Sequence, residues 1–218
     1  FPNTSPYLTT QMKSVGEAMA IGRTFKEAFQ KGLRALETGR AGWTIAPRPQ
    51  DDRLADETAE ALKGELRQPT PERIFQVKRA LERGMPVDEV FELTAIDPWF
   101  LYQMLELIEA ECAYAALDDV SAPELRRMKR MGFSDRQLGV LRGEDEQTVR
   151  ERRWALNIRP AYKMVDTCAG EFPSSTPYLY GSYDEESEAP RRDPRSGVLL
   201  GSGPNRIGQG VGFGHRSE

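Results

Sequence analysis

The sequence predicts a mostly α-helical protein: a compact multi-helix domain, then a short extended bridge, then an incomplete α/β start at the C-terminus. Three observations predict it. The stretch Asp97 to Ala115, DPWFLYQMLELIEAECAYA, is the longest uninterrupted helical pattern in the chain. Capping pairs recur at Ser14/Glu17, Thr24/Glu27 and Ser121/Glu124, each a serine or threonine three residues before a glutamate. Between residues 70 and 157 about six helical patterns follow one another with very short joints and no constant repeat length, which points to a compact domain rather than a solenoid.

The elements follow in chain order. Residues 1–10 are turn-rich, with Pro2, Asn3, Ser5 and Pro6. Ser14 and Glu17 predict a short helix carrying Met12, Val15, Met19 and Ile21, closed by Gly22. Thr24 and Glu27 open a second, with Phe25, Ala28, Phe29, Leu33 and Leu36 on one face and Gly39 at its end. GWTIAPRPQ is a loop, because two prolines forbid regular continuation. Asp51 to Arg67 reads as a modest helix with Leu54, Leu62 and Leu66. Thr70 and Pro71 start the next, with Ile74, Phe75, Val77, Lys78 and Leu81, stopping at Gly84. Val87 to Leu93 gives two turns. In the central helix Asp97 caps and Pro98 takes the first position, while Phe100, Met104, Leu107, Ile108, Cys112 and Ala115 form a stripe that Leu101 and Leu105 widen. Leu125, Met128 and Met131 line a helix ended by Gly132; Ser134 opens another with Leu138 and Leu141; Asp145 to Leu156 closes the set with Val149 and Trp154. After Asn157 the pattern turns extended, through Tyr162, Met164 and Val165 and again through Tyr178, Leu179, Tyr180 and Tyr183. DEESEAPRRDPRS has linker composition, and Val198 to Leu200 is a short strand.

Composition bounds the function classes. Hydrophobic residues make up 39% of 218, charged residues 29%, and the net charge is -4. Bases are interleaved with acids, which argues against a nucleic-acid footprint, although a local basic helix face stays compatible with it. Cys112 and Cys168 are too few and too far apart for a disulfide scaffold or a metal cluster, and predict reduced thiols, buried or inert, in the cytoplasm. No apolar run approaches a membrane span. The chain lacks an initiator methionine and a signal-peptide pattern, which predicts that it begins inside a longer protein.

The segment GSGPNRIGQG at 201–210 directly follows the strand. Its glycines, Gly201, Gly203, Gly208 and Gly210, suit close approach of backbone N–H groups to an anion, and Asn205, Arg206 and Gln209 add polar contacts. This set is the candidate nucleotide-binding or substrate-binding element; a tight turn opening an ordinary α/β layer reads equally well. The unit is unfinished, because a βαβ element needs about 30 residues and only eight follow Gly210.

Taken together, four stretches resemble the large subunit of glutamine-hydrolysing carbamoyl-phosphate synthase. TTQMKSVGEAMAIGRTFKEAFQKGLRALE at 9–37 resembles the end of its first ATP-grasp half, and FELTAIDPWFLYQM at 91–104 its helical oligomerisation domain. RPAYKMVDTCAGEF at 159–172 with YLYGSYDEE at 178–186 resembles the bridge that follows, and GSGPNRIGQG the opening loop of the second synthetic half. The resemblance implies a partition at 1–45, 46–157, 158–196 and 197–218. It implies a parent enzyme that makes carbamoyl phosphate from bicarbonate, two ATP with Mg²⁺ or Mn²⁺, and ammonia from a small glutamine amidotransferase subunit, feeding arginine and pyrimidine synthesis. It implies homo-oligomer formation through the helical domain, no nucleic-acid or membrane partner, and no cofactor bound by this span alone. No residue here is assigned a catalytic or metal-ligating role, since the family's nucleotide and metal ligands lie outside the span. Lys13, Ser14 and Glu17 fall in a family-like motif near the first active half, with a capped helix packing under that site as the alternative. After Gly210 the family runs Ile-Glu-Phe-Asp-Tyr where this chain has Val211-Gly212-Phe213-Gly214-His215, which predicts a truncation or frame error and leaves His215 without a role. Two further readings compete: a free-standing helical self-association module without catalysis, and a small nucleotide-binding protein using 198–210.

Overall fold

A computed structural model describes residues 5, 7–14, 16–43, 58–174 and 176–189, and the backbone of 205 and 206. Its helices are α1 (Phe25–Ala35), α2 (Ala59–Arg67), α3 (Arg73–Glu82), α4 (Val87–Thr94), α5 (Pro98–Ala115), α6 (Ala122–Arg130), α7 (Asp135–Arg142) and α8 (Glu146–Ala155). Its strands are β1 (Gly16–Glu17), β2 (Ala161–Met164), β3 (Leu179–Ser182) and β4 (Asn205–Arg206). The mostly helical fold with a short extended bridge is therefore present. Contacts divide the described residues into two compact units. One takes 1–15 with 43–116, the other 16–42 with 117–218.

The first unit is α2 to α5. Thr58 caps α2 by accepting from the Ala61 N–H at 3.2 Å, and Leu62 and Leu66 turn inward. The predicted start of this helix, including Leu54, lies outside the described residues. α3 begins at Arg73 with no side-chain cap, so Thr70 serves a turn instead, its carbonyl accepting from the Arg73 N–H at 3.1 Å. α4 ends on Ala95 at φ +56°, an unusual left-handed position for a residue with a Cβ. Asp97 Oδ1 then accepts from the Trp99 N–H at 2.8 Å and starts α5. The buried arc of α5 is Leu101, Met104, Leu107, Ile108, Ala110, Glu111 and Tyr114. This corrects the predicted stripe. Phe100 and Cys112 are exposed: Phe100 shares the angular position of Met104 and Leu107 but stands in the first turn, before the buried stretch of that face, and Cys112 lies at the margin of the arc, just past Leu101.

The second unit is built on α1 and α6 to α8. Thr24 accepts from the Glu27 N–H at 3.2 Å as predicted, but the Glu27 carboxylate reaches back one residue further, to the Arg23 N–H at 2.8 Å. The buried residues of α1 are Glu27, Gln30 and Leu33, while Leu36 is exposed, so the apolar face read from the sequence is not the inner one. The described residues between 12 and 22 form no helix; Ser14 and Glu17 do not make a capping box there, and Gly16–Glu17 is an extended pair instead. Both partners of the box form at α6, where Ser121 and Glu124 exchange bonds, and again at α7 with Ser134 and Gln137. Gly132, between them, is a position only glycine satisfies: φ is +90°, and a Cβ would meet the Glu27 Cα at 2.9 Å. Trp154 is exposed, with Arg159 over its ring at 4.9 Å, and Arg153 of α8 is buried in its place.

The bridge is an antiparallel ribbon of β2 and β3, with Ala161 opposite Ser182 and Met164 opposite Leu179. Glu188 clamps its outer edge, accepting from the Met164 N–H at 2.7 Å and from Lys163 at 3.2 Å.

Candidate functional site

Of the glycine-loop residues singled out above, Gly201, Gly203, Gly208, Gln209 and Gly210 lie outside the described residues, as does the strand at 198–200. The backbone of Asn205 and Arg206 is described. It pairs antiparallel with β1, Glu17 opposite Asn205 and Gly16 opposite Arg206. Lys13 donates to the Tyr7 carbonyl at 2.7 Å and lies in the other unit. His215 lies outside the described residues.

The first unit carries an exposed aromatic surface on α4 and α5. Trp99 and Tyr102 are 54% and 52% exposed, one turn apart on the outer face of α5, and Phe91 and Phe100 are also exposed. The Trp99 and Phe100 rings meet edge to face at 5.0 Å. Four aromatics left to water in one stretch of about 12 residues are far from the single exposed side chains of an ordinary surface. The charge around them is one-sided: no lysine or arginine lies between Arg83 and Arg126. Lys63 supplies one counter-charge, to Glu89 at 2.9 Å. Beneath α5 the only buried carboxylate of this unit among the described residues, Glu111, pairs with the buried ammonium of Lys78. The ammonium also lies 3.6 Å from Glu82 and 5.3 Å from the Trp43 ring, whose Nε1–H donates to the Ile74 carbonyl at 2.9 Å.

The second unit carries a buried charge cluster. Asp135, at the first position of α7, receives Lys129 at 2.8 Å and Arg153 at 3.0 Å. Lys129 also donates to the Phe133 carbonyl at 2.6 Å and Arg153 to the Ile158 carbonyl at 3.0 Å, so the cations close the turns after α6 and α8. The Tyr183 ring lies under both, 4.9 Å from the Lys129 ammonium and 5.6 Å from the Arg153 guanidinium. Burial pushes Lys129 down to about 8 against the pull of Asp135. Burial also acts to raise Asp135, but Lys129 and Arg153 outweigh it and hold the carboxyl below its usual range. Burial raises the Tyr183 hydroxyl. Nearby, the Gln137 amide donates to Gln30 Oε1 at 2.7 Å, tying α7 to α1.

Sequence reading missed this cluster. Lys129 and Arg153 sit in helices rich in charge, and only their register decides that these two turn inward. The outer face of α6 is basic as well: Arg126, Arg127 and Arg130 gather there, although bases and acids alternate over the chain as a whole. Among the described residues no group of His, Cys, Asp or Glu is arranged to hold a metal ion, and no helix is long and apolar enough to cross a membrane.

Residues 17–157 match the family model described as carbamoyl-phosphate synthetase large chain, oligomerisation domain. The chain belongs to this family. The matched span runs from β1 to just past α8, so both units contribute to the oligomerisation domain. Among curated relatives, the chain is 68% identical over 213 residues to the carbamoyl phosphate synthase large chain of Gemmatimonas aurantiaca, covering 98% of this chain and 20% of that protein. It is 50% identical to the large chain of a Nostoc species and 47% identical to the arginine-specific chloroplastic large chain of Oryza sativa, covering 98% of this chain and 19% and 18% of theirs. The chain thus spans about a fifth of the length of these relatives.

Proposed function

We propose that this chain works as the connector and self-association surface of a carbamoyl phosphate synthase large chain, and that the surface is the aromatic face of α4 and α5, taken up by a second copy. The observation that carries the reading is the match of 17–157 to an oligomerisation domain. The exposed Phe91, Trp99, Phe100 and Tyr102 support the choice of face, because burying a ring removes roughly 150–250 Å² of surface from water. The parent reaction we propose is the ATP- and Mg²⁺-dependent joining of bicarbonate and ammonia, the ammonia supplied by a small glutamine amidotransferase subunit. In that parent, 46–157 would be the helical spacer, with 1–45 closing one ATP-grasp half, 158–196 bridging, and 197–218 opening the next. We place its work in the cytoplasm, in keeping with two unpaired cysteines.

Sedimentation of the full chain at micromolar concentration tests the association. A dimer or larger species is expected, with Trp99→Ala/Tyr102→Ala monomeric. A strict monomer for the unaltered chain counts against the surface. The acids around that face repel their counterparts in a second copy, so added salt should tighten association rather than loosen it. A coupled assay with ATP, bicarbonate and ammonia is expected to read zero for this chain; turnover would move the catalytic machinery into it.

A further inference from the structure

The second unit has a groove of about 350 Å³ between the start of α1 and the outer face of α6. Its walls carry four cations, Lys26, Arg126, Arg127 and Arg130, and no carboxylate; Pro123 and Met131 supply an apolar floor. The register of α6 produces this arrangement. Leu125, Met128 and Lys129 turn inward, so positions 123, 126/127, 130 and 131 share the outer side.

The arginines of this groove are poorly compensated. Arg126 is half-buried and has no hydrogen-bond or ion-pair partner among the described residues. The hydrogen-bonding contact of Arg127 is the Met131 sulfur at 4.0 Å, a weak acceptor. Arg130 donates to the Tyr183 carbonyl at 3.2 Å, and its carboxylate neighbours Glu185 at 3.5 Å and Asp184 at 3.9 Å are both farther than a good charge-assisted bond. Arg126 and Arg130 are four residues apart on one helix, a like-charge spacing that destabilises an isolated helix. A bound dianion would relieve that repulsion and satisfy planar donors matched to phosphate oxygens. The volume is at the small end of the range for small-molecule sites.

We propose that this groove binds a small phosphate monoester, its phosphate held by Arg126 and Arg127 with Lys26 and Arg130 at the rim, and its body lying on Pro123 and Met131. The claim is independent of the association reading, which concerns the other unit.

Titration calorimetry of the full chain at low salt, with phenyl phosphate and inorganic phosphate as probes, tests it. Saturable binding of phenyl phosphate at one site per chain is expected, severalfold tighter than inorganic phosphate because only the ester reaches the floor. Arg126→Gln/Arg127→Gln should weaken it about tenfold, equivalent to about 1.4 kcal/mol. Arg67→Gln/Arg136→Gln removes the same charge from exposed positions elsewhere and should change it less than about twofold. Met131→Ala should weaken phenyl phosphate and leave inorganic phosphate unchanged. Absence of saturation overturns the site. Equal weakening in both double variants overturns it too, by assigning the binding to diffuse charge. Equal affinity for the two probes overturns the role of the floor.

Discussion

The unit of α2 to α5 and the unit of α1 with α6 to α8 fill their interiors differently. Among the described residues the first buries fourteen apolar side chains and four polar ones, Gln76, Lys78, Thr94 and Glu111. The second buries nine of each. The first is organised on the 18-residue apolar α5, and area removed from water dominates its interior. Helices of the second are short and charge-rich, so their ends and turns are joined by directed bonds: Lys129 and Arg153 to Asp135, Gln137 to Gln30, Lys31 to the Ile21 carbonyl at 2.9 Å and Glu27 at 2.7 Å. The lesson is that one domain family match can cover two solutions to the same problem. One holds a single buried ion pair, Lys78 with Glu111, in an otherwise apolar interior. The other buries two carboxylates, Glu27 and Asp135, and Asp135 alone faces two buried cations.

The largest expected effect separates the two directly. Asp135→Asn leaves Lys129 and Arg153 buried without a counter-charge and should destabilise the protein by about 3–5 kcal/mol in denaturant titration. Glu111→Gln should have a visibly smaller effect, because Glu82 still lies near Lys78. Similar losses from the two would erase the contrast. Leu107→Ala, in the apolar unit, should lose about 2–5 kcal/mol and leave the pH dependence of stability unchanged.

Acid sharpens the comparison. The Asp135 carboxyl is held below its unfolded value, so its contribution is fully present above about pH 4 and is lost as pH falls through its lower folded value. Hydrogen exchange followed toward acid pH should therefore show amides of α6 to α8 losing protection before those of α5. On the alkaline side the sign reverses. Lys129, near 8 when folded, releases its proton before the unfolded chain does, so stability should rise between about pH 8 and the usual lysine range. Lys129→Met should abolish that rise.

The smallest expected effect concerns α4. Ala95→Gly should stabilise the first unit by up to about 1 kcal/mol, since it relieves a left-handed position that disfavours a Cβ. A loss on thermal melting would show that the Ala95 methyl packs more usefully than its exposure suggests.

Helices from α3 to α8 were legible because their signals are local. Asp97-Pro98 starts α5, the Ser121/Glu124 box starts α6, and Gly84 and Gly132 stop chains where only glycine turns easily. The same signal misled at Ser14/Glu17, where a capping pair stands in an extended segment whose strand pairs with residues 205 and 206, nearly 190 positions away. Long-range pairing overrode local preference there.

By itself, the sequence determined the helical class, the order and most ends of the helices, and the family, because caps, glycine stops and residue identity need no partner to be read. Tertiary structure alone decided which charges go inside. Lys129 and Arg126 look alike in the sequence of α6, yet one is buried on Asp135 and the other faces a groove. The two stand three residues apart, about 60° around the helix axis, and which of them turns inward is fixed only by what packs against the helix. Burial is energetically acceptable for a cation only where a carboxylate from another element is brought within reach.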